Sequence, residues 1–319
     1  MRYVPWDELN GRPNIIVDGY PADGTLITLS HWKGSGSPEE LADDLSTQIA
    51  FRYLDRPDLK VDAELVSNNH FDEDGLSGIY AILHPDEALA RREKIIQVAS
   101  AGDFGVFTDR DAARVAFALM TMADEDRSNL GGDVFAKPYP QQSALFYEEG
   151  LARFPEMLEH PDRFKGLWQL DDAWFERDDD RARSGAIAIE ERPEIDLAIV
   201  RLPHDTEAAF PSEFSLLGCH QSAIHNRTRL NRVALIRGDE YAVRYRYETW
   251  VQFVSAPVMA RVDLAPLAEE LTSRETGGSK WEFDGNSDLT PWLKASGSSA
   301  LSPEDFVGAV DGFLRRAAA

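Results

Sequence analysis

Three short apolar runs near the start of the chain are each followed by a residue that can bind a metal ion, and this pattern constrains the fold most. The runs and the residues after them are 15–17 with Asp18, 25–29 with His31, and about 61–66 with His70. Such runs, separated by helical patterns, are typical of parallel strands in an α/β sheet. Because the carboxyl ends of these strands form the ligand crevice, we expect the polar side chains to converge.

Helix signals follow the second and third runs. Ser37 can cap a helix whose first position is Pro38, and Glu40 completes a capping box before apolar residues recur at helical spacing. The segment after His70 changes from a polar loop to an apolar helix within a few residues. Residues 85–183 are predicted to be mainly helical, with residues 108–111 capping one of the helices.

The second half of the chain changes to strand patterns. Strands are predicted at residues 185–190, 196–202, 230–236 and 241–253. Gly238 and Asp239 join the last two strands as an antiparallel hairpin. Two helices are expected later, one capped by Asp263 and one that begins at Ser302, with a Gly/Ser-rich segment at 277–299 between them.

A charged run at residues 176–184 lacks apolar periodicity and ends in Ser-Gly, which indicates an exposed connection. The run fits the end of a solvated helix nearly as well. The sequence thus predicts an α/β protein with two domains. A mainly parallel-sheet N-terminal domain would span residues 1–183, and a smaller α+β C-terminal domain with the hairpin would span 184–319. One large domain is the alternative.

The composition is that of a folded globular protein with a strong negative charge. Apolar residues make up 43% of the chain, and 56 acidic against 33 basic residues give a formal charge of −23. Such a surface repels phosphates, so we expect no duplex nucleic acid as a partner. Without an apolar signal segment, a membrane helix or a second cysteine, the chain is expected to be cytoplasmic. Whether it forms a homodimer stays open.

The segment NNHFDEDG at residues 68–75 carries the strongest functional signal. His70, Asp72 and Asp74 alternate at the end of a predicted strand, and extended backbone would place their side chains on one side. Carboxylates suit hard divalent ions, and imidazole admits Mn²⁺, Fe²⁺ or Zn²⁺. An EF-hand is excluded because apolar residues follow Gly75 where that loop would continue with ligands. A surface turn capped by two aspartates is the alternative.

The same segment resembles the first metal-binding motif of DHH-type phosphoesterases, in which a strand ends in a His/Asp/Asp cluster followed by glycine and a helix. That resemblance implies two α/β domains that hold two Mn²⁺ or Mg²⁺ ions and hydrolyse phosphoesters or phosphoanhydrides. The segments NHFDEDG, LSHW and RYRYETWV are also similar to those of an uncharacterised bacterial family.

The resemblance assigns roles to particular residues. His70, Asp72 and Asp74 match the first motif and would be the catalytic metal ligands. Asp103 is a weaker counterpart of the second aspartate of that family. The Asp-His-His triplet of the family is absent. The candidate metal ligands in its place are His31 and Asp18, and further candidates are His204, Asp205, His220 and His225. Two ions about 4 Å apart would then bind a phosphoryl oxygen and activate a water molecule.

A local excess of positive charge lies in the second half of the chain, with six arginines between residues 227 and 246. Guanidinium groups bind phosphate in a bidentate manner. The residues predicted to bind substrate are Asn69, His225, Arg227, Arg244 and Arg246. Pairing of these arginines with the surplus of acidic residues is the alternative.

Together these features predict a metal-dependent phosphoesterase or phosphohydrolase that uses Mn²⁺ or Mg²⁺ on a small phosphorylated or nucleotide-like substrate. The chain contains neither a G-x-x-x-x-G-K-[ST] phosphate loop nor a G-x-G-x-x-G fingerprint, which argues against an ATPase or a nicotinamide enzyme. The alternative function is a non-catalytic metal- or nucleotide-binding protein derived from the same fold. Two bound ions would favour the hydrolase, and one or none the alternative.

Overall fold

The computed structural model describes residues 1–207, 212 and 214–318, and the chain packs as two compact units. The first unit comprises Met1–Asp172 and Val251–Ala256, and the second comprises Ala173–Trp250 and Pro257–Ala319. Each unit has its own β-sheet. The predicted α/β class, with a parallel sheet first and an antiparallel hairpin later, is confirmed.

The first unit is built on a four-stranded, fully parallel sheet in the order β1-β4-β2-β3. Its strands are β1 (Arg2–Tyr3), β2 (Asn14–Val17), β3 (Thr25–Leu29) and β4 (Leu65–Ser67). Its helices are α1 (Ser46–Leu54), α2 (Glu73–Leu83), α3 (Pro85–Leu89), α4 (Arg92–Asp103), α5 (Arg110–Met122) and α6 (Tyr139–Glu159), followed by α7 (Lys165–Arg183), which continues into the second unit. All four residues of β2 are buried, as in a strand covered on both faces.

The second unit contains a six-stranded mixed sheet in the order β11-β12-β10-β9-β6-β5 and a separate two-stranded ladder. Its strands are β5 (Ala188–Arg192), β6 (Leu197–Leu202), β7 (Ser215–Leu216), β8 (Cys219–His220), β9 (Arg232–Arg237), β10 (Glu240–Tyr245), β11 (Trp281–Phe283) and β12 (Trp292–Ala295). Its helices are α8 (Gln221–His225), α9 (Ala265–Arg274) and α10 (Pro303–Ala318). Apolar residues of β6, β9 and β10 pack against α9 and α10 to form its larger core.

The predicted helix start at Ser37 is wrong, and the reason bears on the functional site. The hydroxyl of Ser37 donates to the carbonyls of Thr28 and Ser30, so it is used at the end of β3. Only a short 3₁₀ turn, Glu39–Leu41, follows. The α-helix begins at Ser46, where a carboxylate distant in sequence caps it.

The second hairpin strand is shorter than predicted. It ends at Tyr245 rather than at residue 253, because the chain turns into a 3₁₀ helix, Tyr247–Thr249, and residues 251–256 pack with the first unit. The Gly/Ser-rich segment 277–299 contains β11 and β12, which the sequence did not indicate. Residues 176–183 of the charged run form the last part of α7. None of the described helices is long and apolar enough to cross a membrane.

Candidate metal centre

Two candidate ligands follow neighbouring parallel strands. Asp18 comes directly after β2 and His31 comes shortly after β3, and both side chains are buried. Asp18 has a left-handed backbone (φ 54°), which aspartate tolerates better than most residues. Since parallel strands end at the same sheet edge, the two side chains meet there. His31 Nε2 lies 3.4 Å from Asp18 Oδ1.

A third ligand, Asp74, comes from the first turn of α2 and is fully buried. Its two carboxylate oxygens accept the backbone N–H groups of Ser46 and Thr47, each at 2.7 Å, and so cap the start of α1. The hydroxyl of Ser46 donates to Asp18 Oδ1 at 2.6 Å. Asp74 Oδ2 is 3.9 Å from His31 Nε2. The helix start thereby fixes both carboxylates around the imidazole.

Asp18, His31 and Asp74 form what we call the inner cluster, whose ligand atoms all lie within 4.8 Å of one another. Asp103, the last residue of α4, adds a further carboxylate with Oδ2 at 3.5 Å from His31 Nε2. Among the described residues, this Oδ2 is buried and has no hydrogen-bond partner. A buried carboxylate without a hydrogen bond is costly unless a cation balances its charge or it binds a proton.

Asp18, His70 and Asp72 form a second group, the outer cluster, again with ligand atoms within 4.8 Å. His70 Nε2 lies 2.8 Å from Asp72 Oδ2 and 3.2 Å from Asp18 Oδ2. The side chains of His70 and Asp72 are 23% and 27% exposed, so this cluster is open to solvent while the inner one is closed. Asp72 Oδ1 also caps α2 through the N–H of Gly75.

The expectation that His70, Asp72 and Asp74 point to one side is wrong. Helix α2 begins at Glu73, so the backbone is extended only as far as Asp72, and the helical turn sends Asp74 to the inner cluster. The two clusters are joined by Asp18, whose Oδ1 faces His31 and whose Oδ2 faces His70. One carboxylate is therefore shared by two groups, each of which could hold a metal ion.

Both imidazoles are oriented by an oxygen at Nδ1. His31 Nδ1 is 2.6 Å from the carbonyl oxygen of Asp44, and His70 Nδ1 is 3.0 Å from Oδ1 of Asn69. Because these oxygens only accept, each of them suits a protonated Nδ1, and each Nε2 faces carboxylate oxygens. That contact is repulsive unless a proton or a metal ion lies between them, and it is the arrangement typical of metal-binding histidines.

Burial and mutual repulsion alter the acidity of the carboxylates. Burial, together with the charge of Asp18, raises the pKa of Asp74 to about 7. Burial and the charge of Asp74 raise the pKa of Asp103 well above its usual range. Burial by itself would raise the pKa of Asp18 as well, but the hydrogen bond with His70 and the charge of His70 lower the pKa of Asp18 to about 2. A divalent cation would stabilise the ionised form of all three groups.

Asn68 supports the loop that carries the outer cluster. Its Nδ2 donates to the hydroxyl of buried Tyr147 at 3.0 Å, and its Oδ1 accepts the backbone N–H of Asn69 at 2.7 Å. A Cβ at position 75 would lie 2.4 Å from Asn68 Nδ2 and 2.5 Å from the Tyr147 hydroxyl, so a larger residue there would force this hydrogen-bonded pair to shift. Tyr147 was not identified from the sequence, where it is one apolar position of a helical pattern.

The other residues predicted to bind substrate lie in the second unit. His225 is buried at the end of α8. The three arginines make contacts within that unit: Arg227 pairs with Asp179, Arg244 donates to Thr290 and lies over Trp292, and Arg246 pairs with Glu248. Arg244 and Arg246 are both buried. Their role in phosphate binding stays a prediction.

The chain belongs to a family of unknown function, DUF6687, which matches residues 1–319. No curated protein matches the chain. The expected membership of an uncharacterised family is thus confirmed at the level of the family, while the resemblance to DHH-type phosphoesterases stays a prediction.

Proposed function

We propose that this protein is a metal-dependent phosphohydrolase that uses two divalent ions, Mn²⁺ or Mg²⁺, on a small phosphorylated or nucleotide-like substrate. The observation that carries the proposal is the sharing of Asp18 by the inner and outer clusters. Enzymes that cleave phosphoesters with two metals hold the ions about 3.5–4 Å apart. A shared carboxylate between two adjacent ligand groups is suited to that spacing.

The donor set favours hard or borderline ions. Together with Asp103, the two clusters contain six side chains, of which four are carboxylates and two are imidazoles. This donor set suits Mn²⁺ and admits Mg²⁺. Thiolate chemistry has no part here, since Cys219 is buried in a separate core in the second unit. When bound, the ions would polarise a phosphoryl oxygen and lower the pKa of a bound water.

The residues of the chain divide the remaining tasks. The inner cluster is sealed from solvent and fixes the position of Asp18. The outer cluster is partly exposed at His70 and Asp72, so a phosphoryl oxygen can approach from that side. Asn69 keeps the proton of His70 on Nδ1, which leaves Nε2 as the ligand atom.

Aromatic side chains beside the outer cluster support a nucleotide-like substrate. Tyr20, two residues after Asp18, is 42% exposed and makes an edge-on contact with Trp32 at 5.3 Å between ring centroids. Trp32 in turn stacks on His70 at 5.1 Å. An exposed aromatic face can stack a nucleobase, which is worth about 1–3 kcal/mol per base.

One observation favours the alternative of a non-catalytic metal-binding protein. Asp72 and Asp74 also cap helices α2 and α1, so each has a structural role that needs no catalysis. Capping does not account for Asp103 or for the orientation of the histidines, which favour a bound metal in either case. The sharing of Asp18 by two ligand groups is the reason that we prefer the hydrolase.

The test is hydrolysis by protein that has been stripped with chelator and reloaded with Mn²⁺ or Mg²⁺, measured as released phosphate or, for a dinucleotide, as released mononucleotide. Pyrophosphate, a nucleoside monophosphate and a short dinucleotide serve as substrates. We expect hydrolysis that depends on metal, is lost in Asp18→Asn, and is retained in Asp58→Asn, which changes an exposed aspartate of the same unit. A protein that binds metal but hydrolyses none of these would support the non-catalytic alternative.

A further inference from the structure

Residues 251–256, which we call the strap, come from the far part of the chain but pack with the first unit. Three backbone N–H groups hold the strap in place. Gln252 donates to the carbonyl of His31 at 2.7 Å, and Val254 and Ser255 both donate to Oδ1 of Asp44, at 2.7 and 2.9 Å. The strap is thus fixed through polar contacts rather than through a strand ladder.

Each contact of the strap reaches a metal ligand or its neighbour. His31 is itself a ligand of the inner cluster. Asp44 holds the imidazole of His31 through its own carbonyl oxygen, at 2.6 Å from Nδ1. Phe253 packs edge-on against Phe104, the residue after Asp103, with 5.5 Å between ring centroids. The contacts therefore reach His31, the residue that orients it, and the residue next to Asp103.

We propose that the strap is a working part of the metal centre and that Asp44 is a positioning residue. Its carboxylate binds the strap, and its carbonyl orients His31, so docking of the strap fixes the imidazole for the inner ion. This inference rests on the metal site of the proposed function. Because the carboxylate and the carbonyl that make these contacts belong to the same residue, Asp44 couples strap docking to metal binding. Each of the two then stabilises the other by the same amount.

Substitutions at Asp44 separate positioning from charge. Asp44→Ala removes the acceptor for the strap but leaves the carbonyl that binds His31. Asp44→Asn keeps an acceptor oxygen of the same shape. In Asp44→Ala, we expect calorimetric titration with Mn²⁺ to show about tenfold weaker binding of one of the two ions. This is the lower end of the loss in affinity when a residue that orients a metal ligand is removed. In Asp44→Asn, we expect binding close to that of the wild type.

A matched control and a second variant keep the test decisive. Asp263→Ala removes an exposed carboxylate that accepts a backbone N–H in the second unit, and should leave Mn²⁺ binding unchanged. Phe253→Ala acts on the strap without touching Asp44, so it replaces Asp44→Ala if that variant does not fold. The visible spectrum of Co²⁺-loaded protein should change in Asp44→Ala and Phe253→Ala and return to the wild-type form in Asp44→Asn.

Hydrogen exchange tests the coupling in the opposite direction. The amides of Gln252, Val254 and Ser255 should exchange more slowly when Mn²⁺ is added to the wild type, and this protection should be absent in Asp18→Asn. Equal Mn²⁺ affinity and equal Co²⁺ spectra in wild type, Asp44→Ala and Phe253→Ala would overturn the inference while leaving the metal site intact. A wild type that binds no ion would overturn the metal site as well.

Discussion

Asp103→Asn distinguishes a metal centre from a structural cluster, because it should stabilise the metal-free protein and lose that advantage when metal is bound. The side chain of Asp103 is 6% exposed, and Oδ2 has no hydrogen-bond partner among the described residues. It also ends α4, where the helix dipole disfavours negative charge. Asparagine has the same shape without the charge, so the substitution removes an electrostatic cost and little else.

The size of that cost follows from distances to His31. Oδ2 of Asp103, Oδ1 of Asp18 and Oδ2 of Asp74 all lie within 3.9 Å of His31 Nε2. Asp103 is therefore less than about 8 Å from either carboxylate. Two unit charges at that distance repel by about 2 kcal/mol at an effective dielectric constant of 20. We expect Asp103→Asn to raise the free energy of unfolding of the metal-free protein by about 2 kcal/mol at pH 8.

The effect should depend on pH in a defined direction. Burial and neighbouring carboxylates raise the pKa of Asp103 in the folded protein, so the folded state binds its proton more tightly than the unfolded state. The stability that Asp103 contributes is complete below its unfolded pKa and is lost as pH rises through the folded pKa. The advantage of Asp103→Asn should therefore be small near pH 4 and grow towards pH 8.

Urea unfolding of chelated and Mn²⁺-saturated protein measures both effects. Mn²⁺ at a hundredfold excess over its dissociation constant should stabilise the wild type by about 2.7 kcal/mol for each ion bound, and Asp103→Asn should lose most of the gain from the inner ion. The control is Asp171→Asn, which changes a buried aspartate paired with Arg127 at 2.7 Å and should destabilise equally with and without metal. Destabilisation of the chelated protein by Asp103→Asn would refute the reasoning.

Three further substitutions test separate parts of the account. Asp72→Asn keeps an oxygen to cap α2 but removes a charge beside His70, so elemental analysis should find about one Mn²⁺ per chain; an unchanged content would refute this. Gly75→Ala should lower both the melting temperature and Mn²⁺ retention, because its Cβ would meet Asn68; unaltered values would contradict the packing. Arg246→Ala leaves Glu248 buried without its cation and should cost about 3–5 kcal/mol in urea unfolding; a loss under about 1 kcal/mol would show that the pair matters little.

The sequence predicted the strands and the neighbouring candidate ligands correctly where the structure depends on a local residue pattern. Strand β3 has the predicted bounds, and β2 begins one residue earlier than predicted. Asp18 and His31 could be identified as neighbours because parallel strands must end at one edge of the sheet. The segment around His70 was recognised because its residue types at that spacing suit a metal better than a plain turn.

The division of the ligands into two clusters could not be predicted, because it depends on where α2 starts. Asp74 reaches the inner cluster only because the helix has begun at Glu73. The start of α1 was misplaced for a similar reason. Ser37 satisfies the local capping pattern, yet the helix is capped by Asp74, which lies 28 residues beyond Ser46.

Long-range contacts left no local signal in the sequence. Asp44 is an ordinary loop aspartate until the strap is placed beside it, more than 200 residues later in the chain. Strands β11 and β12 are three and four residues long and lie in a Gly/Ser-rich segment, too short for a period of two to be recognised.

The central claim is that Asp18 joins two metal sites, and the number of ions bound per chain tests it most directly. Protein stripped with chelator is titrated with Mn²⁺, and bound metal is counted by elemental analysis after gel filtration. The account predicts two ions in the wild type, one in Asp74→Asn and none retained in Asp18→Asn, each variant being folded by circular dichroism. A wild type that binds no ion, or an Asp18→Asn variant that keeps two, would contradict it.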